Sequence, residues 1–315
     1  MIRVFAFLVG MAFAGVLAIS LFLGVADYFR NPPEALVSEE FHLHPKHLAL
    51  ASDGPFGKFD NQQLQRGFQV YGEVCAACHA LSLVSFRELE HIGYNEAEVK
   101  KIAADWKIPV PSINPDTGEA ATRKALPSDT FPTPFANEVA ARASNNNAYP
   151  PDLSLIAKAR EGGAAYTYSL LTGYRDANRY RNEKGKALPA DAKPVQNLHF
   201  NPYFANLNLA MPPPLTAEGQ VTYADGTAAS VDQMAKDVSA FLVWTAEPEL
   251  GHRRAAGLAI VIFLLFATVL GYLAYRQLWA EAKRKVALKG PLDPDNQARR
   301  SRARIKGGVT GGPSS

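Results

Sequence analysis

The sequence predicts a mainly α-helical protein in which one extramembrane domain, with long loop insertions, lies between two apolar helices. Two stretches without any charge, residues 4–26 and 255–275, carry the apolar part of this prediction. Apolar residues at helical spacing in the body, at 61–75 and 231–244, carry the rest. With 47% hydrophobic residues and only two cysteines among 315 residues, the chain is too apolar for a disordered protein and too poor in cysteine for a disulfide-stapled one.

The first apolar stretch follows Arg3 and has the pattern of either an export signal or a membrane anchor. Small residues at Gly24 and Ala26 could form a cleavage site. The run is longer than the roughly 7–15 apolar residues of an ordinary signal, which favours a retained span. We therefore assign residues 1–30 as a signal sequence or an N-terminal anchor, and both would export the chain that follows.

The second apolar stretch predicts a transmembrane helix at 253–279. Its 21 uncharged residues would reach about 30 Å as a helix, the thickness of the hydrocarbon core. From Arg276 to Ser315 there are ten basic and three acidic residues. Basic residues beside an apolar span favour a cytoplasmic location rather than a nucleic-acid partner. We expect residues 280–315 to form a basic, disordered cytoplasmic tail.

Both cysteines lie in one short motif, Cys-Ala-Ala-Cys-His at positions 75–79. Two thiols one turn apart can each bond a vinyl group of one porphyrin, and the next imidazole can ligate its iron. A zinc site would need His or carboxylate ligands from elsewhere, because no further cysteine exists. A thioredoxin-like pair would need a βαβ context, which the sequence does not suggest. The motif predicts one covalent haem c in a cytochrome c-like domain over residues 31–252.

Two helices are predicted from capping signals and spacing. Asp60 with Gln63 resembles a capping box for a helix that begins at about Asn61, with one apolar face formed by Leu64, Phe68, Tyr71 and Cys75. Gly67 in its middle indicates either a close helix neighbour or a tolerated glycine. The other helix, capped by Ser230, would turn Met234 inward. We expect residues 108–147 to be largely loop and residues 221–227 to form a tight turn, with a small hairpin as one option.

A six-coordinate haem needs a second axial ligand, usually Met or His. Met211 precedes three prolines, which can hold a thioether in a stiff loop. The alternative is a methionine that fills a gap in the core, with His199 as the rival ligand. His42, His44 and His47 form a cluster that we interpret as a solvated loop rather than a metal site.

Several blocks in the chain stand in the order typical of a known family: 66–71, 142–154, 168–174, 232–238 and the loop at Met211. On these residues the chain resembles cytochrome c1, the haem subunit of the quinol–cytochrome c reductase (Complex III), in its bacterial form. The resemblance implies one haem c, with its attachments and axial ligands at Cys75, Cys78, His79 and Met211. It also implies that Arg142 lies near a haem propionate. The alternative for Arg142 is a surface arginine beside Glu138.

The resemblance implies a one-electron relay from the Rieske iron–sulfur protein to a soluble cytochrome c, beside cytochrome b in a dimeric complex. The chain would be an electron carrier rather than an enzyme by itself, in the bacterial inner membrane with its haem domain in the periplasm. Residues 1–275 carry 23 basic and 27 acidic residues, which suits a basic carrier. The alternatives are a stand-alone membrane-tethered cytochrome that serves another oxidase or reductase, and a thiol oxidoreductase without haem.

Overall fold

Helices make up most of the regular structure in this computed structural model, which describes residues 2–31, 36–285 and 293–307. The chain divides into two units, Met1–Pro248 and Glu249–Ser315. The helices of the first unit are α1 (Ile2–Arg30), α2 (Val37–Phe41), α3 (Asn61–Val70), α4 (Glu96–Ala104), α5 (Glu138–Ser144), α6 (Ile156–Ala159), α7 (Gly163–Leu171) and α8 (Val231–Ala246). The second unit contains α9 (Leu250–Lys285) and α10 (Pro294–Gly307). The predicted mainly α-helical fold is confirmed.

The described strands form three small antiparallel pairs. They are β1 (Leu81–Ser85) with β4 (Thr130–Phe131), β2 (Val110–Ile113) with β3 (Ala120–Arg123), and β5 (His199–Phe200) with β6 (Asn208–Leu209). Leu81 lies opposite Phe131 in the first pair, and His199 lies opposite Leu209 in the third. These pairs join loops at the edges of the helical core, as expected of loop insertions.

The two apolar helices match the predicted spans. α1 has 29 residues, and α9 is apolar enough to cross a membrane from Leu250 to Ala280. The described side chains of the two predicted spans, 4–26 and 255–275, are almost all exposed to the surroundings. A helix that is apolar all round and unburied by protein is typical of a membrane environment or of an export signal. Whether residues 1–30 are a signal or an anchor stays a prediction.

The core of the first unit is the crossing of α3 and α8. Asp60 caps α3 by accepting hydrogen bonds from two backbone amides, and Ser230 caps α8 by accepting one from Gln233, so both predicted starts are confirmed. Met234 is fully buried in this core, as predicted. A Cβ atom on Gly67 would lie 2.2 Å from the carbonyl oxygen of Asp237. Gly67 is therefore required by the close approach of α8.

We expect Gly67→Ala to destabilise the protein by about 1–3 kcal/mol, because the new methyl group must push α8 away from α3. This cost exceeds the roughly 1 kcal/mol that alanine gains in a helix. Thermal or urea unfolding of the full chain in detergent measures it. Gly72→Ala is the matched control, since its Cβ would meet Trp106 at an ordinary 3.4 Å. Equal stability of the two variants would contradict the prediction.

A buried polar cluster joins the same two helices. The carboxylate of Asp237, with no exposed side-chain surface, accepts from Arg66 Nε at 2.9 Å. It also accepts from the side-chain amides of Gln63 (3.1 Å) and Gln233 (2.8 Å). Arg66 extends the cluster through Nη1 to Asp225 at 2.7 Å. The cluster satisfies a buried charge and ties loop 221–227 to α3.

An aromatic cluster covers the other side of α3. Trp106 stacks nearly parallel to Phe68 and Tyr71, with interplanar angles of 16° and 17°. Phe131 of β4 packs against Phe86 with ring centroids 4.1 Å apart. These rings connect β1 and β4 to the end of α3, and they thereby fix the segment that follows the haem-type motif.

The hairpin lies elsewhere than expected. The tight turn at 221–227 is confirmed, since Gly226 has φ +76° and Asp225 accepts from the amide of Thr227. The hairpin option there is wrong, because Val221 and Tyr223 are buried against the helices and the segment forms no strand. The paired strands β2 and β3 instead lie inside the region expected to be largely loop.

The tail also differs from the expectation of disorder. α10 begins after Asp293, whose side chain accepts from the amide of Asp295 and whose carbonyl accepts from Gln297, both at 2.9 Å. Pro294 at the first helical position suits such a start, and the alanines and arginines that follow favour a helix. The expectation is therefore wrong for 294–307, while 286–292 and 308–315 lie outside the described residues.

Candidate functional site

The two thiols lie where α3 ends in a π-helical turn, Tyr71–Cys75. The amide of Ala76 donates to the carbonyl of Tyr71 at 2.8 Å, which is the wide spacing of such a turn. Cys75 is half-buried and Cys78 is exposed, and neither is in a disulfide. Burial raises the pKa of Cys75 to about 12, with the charge of Cys78 adding to the effect. A thiol that stays protonated is a poor redox nucleophile, so Cys75 is poorly suited to the role that the thiol oxidoreductase alternative needs.

The imidazole of His79 is oriented by a distant loop. Nδ1 lies 2.7 Å from the carbonyl oxygen of Pro151 and donates to it, because that oxygen can only accept. The hydroxyl of Tyr71 donates to the carbonyl of His79 at 3.0 Å, which holds the backbone. Burial lowers the pKa of His79, and the Pro151 bond and the charge of Asp152 oppose this only in part. The neutral ring keeps the Nε2 lone pair available for a metal.

The segment that contains Pro151 is itself attached to the chain beyond His79. The amide of Leu153 donates to the carbonyl of Ala80 at 2.9 Å. Asp152 accepts from the amide of Ser82 through Oδ2 (2.9 Å) and from the amide of Ser154 through Oδ1 (2.8 Å). Residues 142–154 entered the sequence analysis only through their family resemblance, and their attachment to the chain beyond His79 was not predicted. The Asp-x-Ser turn pattern was the available signal.

Met211 is half-buried in the proline loop. The hydroxyl of Tyr174, the residue three places after the end of α7, donates to the carbonyl of Met211 at 3.0 Å. Burial raises the pKa of Tyr174, so the phenol stays a donor. The backbone of Met211 is thus held by a buried hydrogen bond from the α7 side. Its pairing with His79 as axial ligands stays a prediction.

The comparisons with known proteins agree with the motif. The model of the Cytochrome C1 family matches residues 50–282. The chain belongs to the cytochrome c1 family. Cytochrome c1 of Rhodospirillum rubrum is 43% identical over 239 residues, which cover 73% of this chain and 85% of that protein.

A mitochondrial relative and a second bacterial relative are similar to this chain to about the same degree. The mitochondrial cytochrome c1 haem protein of Saccharomyces cerevisiae is 41% identical over 262 residues, covering 83% of this chain and 80% of that protein. A cytochrome b/c1 of Bradyrhizobium diazoefficiens is 41% identical over 73% of this chain and 34% of its own length. The predicted resemblance to cytochrome c1 is confirmed. Cytochrome c1 is a haem subunit of the bc1 complex and belongs to respiratory electron transport.

The residues at the motif fit the haem that the cytochrome c1 family implies. One thiol is exposed, the other borders the apolar core, and the adjacent imidazole is neutral and fixed through Nδ1. This donor set suits two thioether bonds and one iron–nitrogen bond. In the part of the chain that the structure describes, no group of three or more His, Cys, Asp or Glu residues could hold a metal ion.

The other predicted residues have identifiable surroundings. Arg142 donates from Nε to Glu138 at 2.8 Å and from Nη1 to the carbonyl of Asn147 at 3.0 Å. These are the contacts of the surface alternative, and the propionate role of Arg142 stays a prediction. His199 lies in β5 and lines a cavity of about 390 Å³ together with Pro213 of the proline loop.

We expect Asp152→Asn to destabilise the protein by about 1 kcal/mol at neutral pH, a value discounted for solvent exposure. Burial raises the pKa of the Asp152 carboxyl, but the hydrogen bonds from Ser154 and Ser82 together lower it by more. The pKa of Asp152 is therefore below its ordinary value. This stabilisation is present above the unfolded pKa and is lost as pH falls through the lower folded pKa.

The measurement is the urea midpoint of the full chain in detergent between pH 7 and pH 2. The difference between the wild type and Asp152→Asn should shrink below about pH 4. Asp116→Asn, on the exposed turn between β2 and β3, is the control and should leave the midpoint unchanged. A difference that stays constant at all pH values would contradict the prediction.

Proposed function

We propose that this cytochrome c1 carries one haem c, attached through thioethers to Cys75 and Cys78, with His79 and Met211 as axial ligands. The observation that carries the proposal is the hydrogen bond from His79 Nδ1 to Pro151 within an intact Cys-x-x-Cys-His motif. When bound, haem c supplies an iron that gains and loses one electron. His79 holds its ring in one tautomer and one orientation through Pro151.

The side of this site next to α3 is apolar. The buried face of α3 and the aromatic cluster supply an apolar wall, and Tyr71 stays neutral because burial raises its pKa. A His/Met ligand pair in apolar surroundings favours the ferrous state and raises the potential. The chain therefore holds the iron ligands in position and sets the dielectric environment around them. It makes no bond to a substrate.

We infer that the electron comes from a Rieske iron–sulfur protein and leaves to a soluble cytochrome c, with cytochrome b in the same dimeric complex. The name of the Bradyrhizobium relative, cytochrome b/c1, supports the association with cytochrome b. The excess of acidic residues in 1–275 supports docking of a basic acceptor, because opposite charge accelerates encounter.

The proposed topology follows from α9 and the basic residues after it. Cytoplasmic retention of Lys283, Arg284 and Lys285 would leave the haem domain on the periplasmic side of the bacterial inner membrane. Lipid would then cover the exposed apolar side chains of α9. Single introduced cysteines, in the haem domain or in the tail, can be labelled with a membrane-impermeant reagent. Labelling of the haem-domain cysteine in intact spheroplasts, and of the tail cysteine only after lysis, would support this sidedness.

The experiment for the function uses the full chain, tagged at its C-terminus and purified from its own membranes. We expect cytochrome b to copurify and a quinol to reduce the c-type haem within the complex. A protein that retains haem stain after denaturation but lacks cytochrome b would instead be a stand-alone cytochrome. The double variant Cys75→Ser/Cys78→Ser should lose covalent haem, and retention of the stain would overturn the proposed attachment.

A further inference from the structure

Residues 36–46, which come after α1, pack against residues that lie far from them in the sequence. We call residues 36–46 the strap. Phe41, at the end of α2, is fully buried in a small second core with Phe200, Leu207 and Leu188. The amide of Leu43 donates to the carbonyl of Pro202 at 2.8 Å. The strap therefore lies against the segment that leads into the proline loop, more than 150 residues later in the chain.

The strap contacts the segment that leads into the Met211 loop, which we call the loop base. Phe200 is in β5, and Leu207 precedes β6, which ends two residues before Met211. Leu207 has φ +64°, a left-handed conformation that is strained for a bulky residue. Its side chain is only 2% exposed, so its burial beside Phe41 offsets the strain. Without Phe41, less packing would hold this turn in its strained form.

The strap also contacts the end of α7 and the residues after it, which support the Met211 loop through Tyr174. The amide of Lys46 donates to Ser169 Oγ at 2.7 Å, and its Nζ donates to Thr172 Oγ1 at 2.6 Å. Nζ lies 5.4 Å from the ring centroid of Tyr203, which is on the β5 side. Thr172 is two residues before Tyr174, whose hydroxyl binds the carbonyl of Met211. The strap thus contacts both the turn at Leu207 and the residues next to Tyr174, and both of these support Met211.

An ion pair closes the cluster over Phe41. Lys186 Nζ lies 2.6 Å from Glu40 Oε2 and 5.9 Å from the ring centroid of Phe41. The pair is partly exposed, so it contributes less than the burial of Phe41. The ring of Phe41 is therefore the main contact between the strap and the loop base.

We propose that the strap is a positioning element that keeps Met211 at the haem iron, with Phe41 as its central residue. This proposal rests on the proposed function, in which Met211 is the sixth ligand. Loss of the Phe41 ring would relax the turn at Leu207 and release Met211. Cys75 packs against the other core, so the Cys-x-x-Cys-His motif would stay in position.

The test compares Phe41→Ala with Leu89→Ala, a control that truncates a fully buried side chain of the other core outside the aromatic cluster. Carbon monoxide competes with methionine for ferrous iron, so its apparent affinity reports how readily Met211 leaves. In Phe41→Ala we expect that affinity to rise on the order of a hundredfold. In Leu89→Ala we expect it to stay within about threefold, because that site is independent of the loop.

Equal carbon monoxide affinities in Phe41→Ala and Leu89→Ala would overturn the positioning role. If Phe41→Ala yields no folded protein, Phe41→Leu and Lys46→Met are judged by the same criterion. Met211→Leu separates this failure from failure of the proposed function. Should Met211→Leu bind carbon monoxide no better than the wild type, Met211 is not a ligand and both proposals fall.

Discussion

Met211→Leu is expected to lower the midpoint potential by on the order of 0.2 V, within the ~0.8 V range that axial ligands span. A leucine cannot ligate iron, and loss of the thioether removes the ligand that favours the ferrous state. The c-type α-band should remain in the reduced-minus-oxidised spectrum, since Cys75, Cys78 and His79 are unchanged. The weak red band of methionine-ligated ferric iron should disappear.

Met234→Leu is the matched control, because Met234 is fully buried in α8 and fills space in the helical core. It should retain the red band and the wild-type potential. If Met211→Leu is indistinguishable from the wild type in both measurements, Met211 only fills space in its loop. His199 would then be the next candidate for the sixth ligand.

Arg66→Met is expected to destabilise the protein by about 3–5 kcal/mol, because it leaves the carboxylate of Asp237 buried without its cation. The side chain of Arg66 is 15% exposed and that of Asp237 is fully buried. The neutral amides of Gln63 and Gln233 would remain, but they carry no charge to balance the carboxylate. Urea unfolding of the full chain in detergent, followed by the Soret band and by circular dichroism, measures the loss.

Two further variants decide whether the buried charge is the cause. The double variant Arg66→Met/Asp237→Leu removes both charges and should recover most of the lost stability. Lys100→Met breaks an exposed pair with Glu96 on α4 and should leave the midpoint unchanged. A double variant no more stable than Arg66→Met would show that packing, rather than charge, causes the loss.

The parts of the fold that sequence reasoning predicted correctly depend on short-range chemistry. Asp60 and Ser230 each cap a helix through residues two or three positions away, so the cap is readable from a few letters. The uncharged run at 255–275 is long enough to span a membrane in any context. The Cys-x-x-Cys-His spacing predicts haem attachment from five residues, and the family match implies a haem cofactor.

The misplaced hairpin has a different origin. The Asp225–Gly226 pair predicts a turn, and the turn is present. Whether its arms pair as strands depends on what covers them, and here Val221 and Tyr223 are buried in the core beside α3 and α8. The β2–β3 pair instead forms a ladder of four residue pairs. Local turn chemistry therefore predicted the bend but not the pairing.

The sequence by itself determined the membrane span, the attachment motif and the two central helices, because each depends on contacts between residues close in the chain. Only the tertiary structure decided that Pro151 orients His79, which lies 72 positions earlier, and that Asp237 pairs with Arg66 across 171 positions. The same holds for the strap at Phe41. Such contacts depend on which surfaces meet after loop closure, and a single side chain's identity does not specify its distant partner.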